Sequence, residues 1–105
     1  MNLQGATAAF EYSDSGELVD HRIAENSGFQ PDSLDLLSHV FVANTAIATM
    51  QARGWEKSTG QGGFYPIEGF TLIGLEWSAI GKGNRGVIVS NDEVDYEAAY
   101  AALAD

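Results

Sequence analysis

An α+β fold is what this sequence predicts: an antiparallel sheet with helices packed on a face, in the order β-β-α-β-β-α. Three observations carry it. Two strand-like segments flank Ser13-Asp14-Ser15-Gly16, which is how a tight hairpin reads. Apolar residues then recur at helical spacing from Leu34 to Met50. A second β-prone stretch precedes a short amphipathic segment at the C-terminus. Strand pairs alternating with helices favour an antiparallel layer over a doubly wound one.

Ala6 to Tyr12 and Glu17 to Ile23 form the first strand pair. Asn26-Ser27-Gly28 breaks the pattern, and Pro31-Asp32-Ser33-Leu34-Asp35 supplies capping oxygens and a carboxylate for a helix opening near Asp32 or Ser33. Leu36, Val40, Ala43, Ile47 and Met50 fall at spacings of four, three, four and three, one face of about five turns. This longer stripe is assigned to the sheet, so Ile47 is expected in the core. Leu34, Leu37 and Phe41 then make a surplus apolar strip that needs a partner.

The helix is expected to stop at Gly54, with Trp55 folding back on Met50 in a Schellman-type clamp. Gly60 to Gly63 is a glycine-rich loop. Phe70 to Ile80 reads as one long strand, Gly81 to Gly86 as a turn and Val87 to Val89 as a short apolar strand. Asp92 and Asp95 offer caps for a last helix, in which Tyr96, Ala99, Tyr100 and Leu103 share a face.

Length and charge bound the function. A chain of 105 residues supports one core, a single domain over 1–105. Fifteen acidic against five basic residues give a formal charge of -10, which repels phosphate backbones and anionic head groups. Nucleic acid and membrane are therefore not expected as partners. Zero cysteines remove disulfides, thiolate nucleophiles and cysteine metal sites. No basic-then-apolar leader opens the sequence, so a cytoplasmic location is expected.

No catalytic constellation stands out, and no enzyme activity, metal or cofactor is expected. Gly81-Lys82-Gly83-Asn84-Arg85-Gly86 matches the dinucleotide fingerprint in letters, but that motif works only where its glycines open a helix, and a strand follows here. A hairpin turn is the expectation, with Lys82 and Arg85 a weak anion site. His21 and His39 have no second ligand at metal-binding spacing. No serine lies in a Gly-x-Ser-x-Gly elbow. Glu68 and Glu76 could in principle form an acid/base pair, but solvated carboxylates are the ordinary explanation in so acidic a chain.

Several stretches resemble the Roadblock type of dynein light chain and its bacterial relatives. Gly5-Ala6-Thr7-Ala8-Ala9-Phe10 leading to Asp14-Ser15-Gly16-Glu17-Leu18-Val19 is similar to that family's first strand, turn and second strand. Gly69-Phe70-Thr71-Leu72-Ile73-Gly74 and Gly86-Val87-Ile88-Val89 are similar to its later strands. The resemblance runs from Gly5 to Leu103. It implies a non-enzymatic scaffold that homodimerises through long helices and a strand edge, and that docks small GTPases or larger protein assemblies. The surplus helix strip and the open edge of the long strand agree with it. They place the dimer interface on Leu34, Leu37, Phe41, Thr71, Ile73, Leu75 and Trp77. The alternative is a small-molecule-sensing domain of profilin-like or PAS-like shape, holding a pocket between sheet and helix.

Overall fold

A computed structural model describes residues 3–25, 27–63, 65–67 and 69–104. Its elements run β1 (Ala6–Tyr12), β2 (Leu18–Ile23), α1 (Pro31–Thr59), β3 (Phe70–Ile73), β4 (Trp77–Lys82), β5 (Arg85–Ser90) and α2 (Tyr96–Ala104). The strands form one five-stranded sheet in the order β2-β1-β5-β4-β3, with every neighbouring pair antiparallel. The α+β class holds, with one more strand than the sequence suggested.

The extra strand comes from a break at Gly74. What reads as a single run from Phe70 to Ile80 is a hairpin, β3 and β4 joined by residues 74–76. The Gly74 N–H donates to the Trp77 carbonyl at 2.9 Å, and a Cβ on Gly74 would lie 2.9 Å from that same oxygen. Asn91 fastens the turn from below: its side-chain amide donates to Gly74 O at 2.8 Å and its backbone N–H to Glu76 O at 2.9 Å.

Strand alternation divides the apolar residues between two faces. On one, Ala8, Phe10, Tyr12, Ala79 and Ile88 pack with Leu34, Leu37 and Phe41 of α1. Phe41 is the hub: its ring lies 5.9 Å from Phe10, 6.1 Å from Tyr12 and 5.5 Å, edge-on, from Phe70. On the other face, Ile80, Val87 and Val89 pack with Ala99 of α2, and Tyr96, Tyr100 and Leu103 close over them. The helices thus sit on opposite sides of the sheet.

Helix α1 departs from the sequence expectation in three ways. It opens at Pro31, whose fixed φ suits the first turn, behind an extended Gln30 that makes no side-chain cap. Asp35, expected to serve the helix start, instead accepts the Leu18 N–H at 3.0 Å and ties α1 to β2. The helix also runs through Gly54 to Thr59, ending where Gly60 turns left-handed at φ 71° and donates to Glu56 O. Gly54 meets nothing within 4 Å, so it costs the helix only about 1 kcal/mol against alanine. Trp55 is an exposed helical residue and not a clamp.

The third departure is the phase. Leu34, Leu37 and Phe41 face the sheet, whereas Leu36, Ile47 and Met50 face outward. Helix length explains this. At 1.5 Å per residue, α1 spans about 43 Å, roughly twice the reach of a six-residue strand. Only the short strip near the N-terminal end lies over the sheet, and the longer stripe belongs to the free side. The one core hydroxyl of this region, Ser38, donates to Leu34 O at 2.7 Å, so its burial leaves no polar atom unpaired.

At the C-terminus, Asp95 accepts the Ala98 N–H at 3.1 Å, the N-cap bond expected for α2.

Candidate functional site

The outward stripe of α1 leaves several large apolar side chains exposed. Leu36, Val40, Ala43, Ile47 and Met50 repeat at 4-3-4-3 spacing, a spacing also used where two helices pair. Leu36, Ile47 and Met50 are 66%, 54% and 73% exposed. The sheet offers a matching edge. Its two outer strands are β2 and β3. Strand β2 carries Asp20, His21 and Arg22 and a register shift opposite it between Glu11 and Tyr12, features that discourage strand addition. Strand β3, Phe-Thr-Leu-Ile, carries no charge.

The residues expected from sequence at a dimer interface fall in different environments. Leu34, Leu37 and Phe41 are core residues of α1 and not surface. Thr71 bonds Tyr100 through their hydroxyls, and Trp77 packs its ring edge-on against Phe29 at 5.3 Å. Ile73 and Leu75 are exposed, on β3 and on the turn that follows it.

The glycine motif resolves into three separate requirements. Gly83 adopts φ 61° in the two-residue turn between Lys82 and Arg85, a conformation side chains resist. Gly81 and Gly86 stand directly opposite each other in the ladder. A Cβ on Gly81 would press on the Phe41 ring at 2.8 Å, and one on Gly86 would strike the Phe10 ring at 2.4 Å. These two glycines clear room for the aromatic core, and β5, not a helix, follows the turn. Arg85 Nε lies 3.7 Å from Glu11 Oε1, and Lys82 pairs across from Arg85.

His39 stacks against the first hairpin, where Gly16 passes so close that a Cβ would lie 3.0 Å from His39 Cα. Its Nδ1 bonds Asp35 O at 2.8 Å. Among the described residues, no three His, Cys, Asp or Glu side chains gather as a metal site would need. Glu76 lies in the 74–76 turn, and Glu68 lies outside the described residues. No helix among those described is long and apolar enough to cross a membrane.

The surface also carries concavities. A cleft of about 460 Å³ opens where α1 overhangs the β4–β5 turn, with Phe41, Val42 and Ala46 beside Thr45, Thr49 and Arg53 on the helix side and Tyr12, Asp14, Gly83 and Asn84 opposite. Burial pushes the Tyr12 phenol above its ordinary pKa of 10.0, and its hydroxyl donates to Gly83 O at 3.1 Å. A groove of about 580 Å³ crosses the other face beside α2, lined by charges of both signs, including Glu11, Asp20, Arg22 and Arg85. The alternative expected from sequence placed a pocket between sheet and helix, but it named none of the cleft's lining residues, because the walls come from distant parts of the chain.

The family described as an uncharacterized conserved protein (DUF2173) matches residues 1–105. The chain belongs to this DUF2173 family. No curated protein matches it. Among solved structures, the DUF2173 chain is similar to a Roadblock/LC7 domain from Streptomyces avermitilis, with 16% identity and a TM-score of 0.65 over 98% of this chain and 80% of that one. It is also similar to the gliding protein MglB from Thermus thermophilus, with 15% identity and a TM-score of 0.68 over 95% of this chain and 70% of that one. A third likeness is to MglB in a tetrameric arrangement, with 18% identity and a TM-score of 0.66 over 95% and 76% of the two chains. The fold of this DUF2173 member is the Roadblock type.

Proposed function

We propose that this domain is a non-enzymatic, self-associating scaffold or regulatory module of the Roadblock type, working in the cytoplasm. The observation that carries the reading is the exposed 4-3-4-3 seam of α1. A two-fold contact would bury Leu36, Val40, Ala43, Ile47 and Met50 against their own copies. The uncharged β3 edge, with Ile73 and Leu75 beside it, would pair at the same time. The tetrameric arrangement of the similar MglB supports self-association as a habit of this fold. Small GTPases or larger protein assemblies are the partner classes that the Roadblock resemblance implies.

A formal charge of -10 does not oppose this contact, because repulsion between exposed carboxylates is screened beyond roughly 8 to 10 Å at physiological salt. Light scattering at micromolar concentration should report a dimer that persists in 1 M salt. Ile47→Asp should give a folded monomer, because the charge enters the seam and not the core. A parent chain that stays monomeric at every concentration would remove the basis of the reading.

A further inference from the structure

We propose that the cleft between α1 and the β4–β5 turn binds a small carboxylate with a compact apolar body. Its volume of about 460 Å³ lies within the roughly 300 to 1,000 Å³ common for small-ligand sites. The lining is sorted by chemistry. Phe41, Val42 and Ala46 give an apolar floor. Past Phe41 the inward side of α1 changes from hydrocarbon to Thr45, Thr49 and Arg53, one per turn, so two hydroxyls and a guanidinium face the same opening.

The walls are held in place before any ligand arrives. The Arg53 guanidinium lies over the Tyr65 ring, 4.5 Å from its centroid. Stacking occupies the face of the group and leaves its N–H edge, the part that grips a carboxylate. Across the cleft, Asn84 Nδ2 donates to Asp14 Oδ1 at 2.8 Å and the Tyr12 hydroxyl is held on Gly83. Arg53 is the cation of the lining and Asp14 its carboxylate. A ligand with one anionic end would meet Arg53, whereas a second anionic end would meet Asp14.

The larger groove beside α2 lacks this selectivity. Its Arg85 already lies against Glu11, and Asp20 and Arg22 alternate in sign along β2, so its charges answer one another.

The test uses the full chain and does not depend on its oligomeric state. Titration with 3-phenylpropionate, followed by amide chemical shifts, should move Thr45, Thr49, Gly83 and Asn84 saturably. Phenethylamine, the same body with a cationic end, should not. Arg53→Gln should weaken binding about tenfold or more, the usual loss for a hydrogen bond to a charged group. Lys57→Gln, which removes the same charge from the last turn of α1, should leave it unchanged. Thr49→Trp should block the cleft, with circular dichroism confirming the fold. Absence of saturable shifts with 3-phenylpropionate, equal response to phenethylamine, or equal effects of the two Gln variants would each overturn the assignment.

Discussion

Replacing Phe41 by alanine puts the packing of α1 to a quantitative test. The side chain is 1% exposed, and its ring is enclosed by Phe10, Tyr12 and Phe70 with Gly81 beneath it. Those neighbours are themselves fixed by strand pairing and cannot collapse into the gap. The loss should approach the upper part of the usual range for Phe→Ala, about 3 to 5 kcal/mol. Against a typical total of about 5 to 15 kcal/mol, that is roughly a fifth or more of the stability, or roughly 15 to 30 °C in Tm for a domain of this size. Ile47→Asp is the paired control. It is 54% exposed, so the intrinsic stability of the monomer should change by no more than about 0.5 kcal/mol. What it should abolish is the dependence of Tm on protein concentration that self-association imposes. Thermal unfolding by circular dichroism over a concentration series separates the two effects. A folded, stable Phe41→Ala beside an unfolded Ile47→Asp would show that the opposite face of α1 meets the sheet.

Glycine substitutions should divide by environment. Gly86→Ala drives a Cβ into the Phe10 ring and should cost about 1 to 3 kcal/mol as overpacking, whereas Gly54→Ala, in open helix, should gain about 0.5 to 1 kcal/mol; urea denaturation reads both. Alkaline pH should weaken the fold through Tyr12. Its folded pKa is raised by burial, so the folded state holds the phenol proton after the unfolded chain has released it. The contribution is intact below pH 10.0 and is lost as pH rises through the folded value. Tyr12→Phe should remove that alkaline slope while costing about 0.5 to 1.5 kcal/mol for the bond to Gly83.

Local chemistry made much of the fold legible. Asp14-Ser15-Gly16 marks a turn because Gly16 takes φ 92°, and Asp95 marks a helix start because its carboxylate caps Ala98. The phase of α1 was not legible, since the helix carries two apolar stripes and periodicity alone does not say which one meets the sheet. The deciding fact is three-dimensional: the sheet covers only the first part of the helix. Gly54 misled because glycine in an exposed helix costs little, while the true stop, Gly60, takes the left-handed conformation. The break at Gly74 depends on Asn91, seventeen residues away, and so left no local trace. For the same reason the sequence suggested a pocket between sheet and helix only in outline and not its lining, which joins α1 to a turn far from it in the chain.

The contrast between the two sheet edges sets a limit on growth. If β3 pairs with its own copy, the bare edge is consumed on both chains. What remains at either end of the joined sheet is β2, guarded by Asp20, His21 and Arg22. A strand that arrives there must bring its backbone alongside charged side chains and past an irregular register. Pairing of this kind terminates itself: it permits one partner strand and resists the next, so an acidic domain with an uncharged edge can join a second copy without becoming the seed of a fibre.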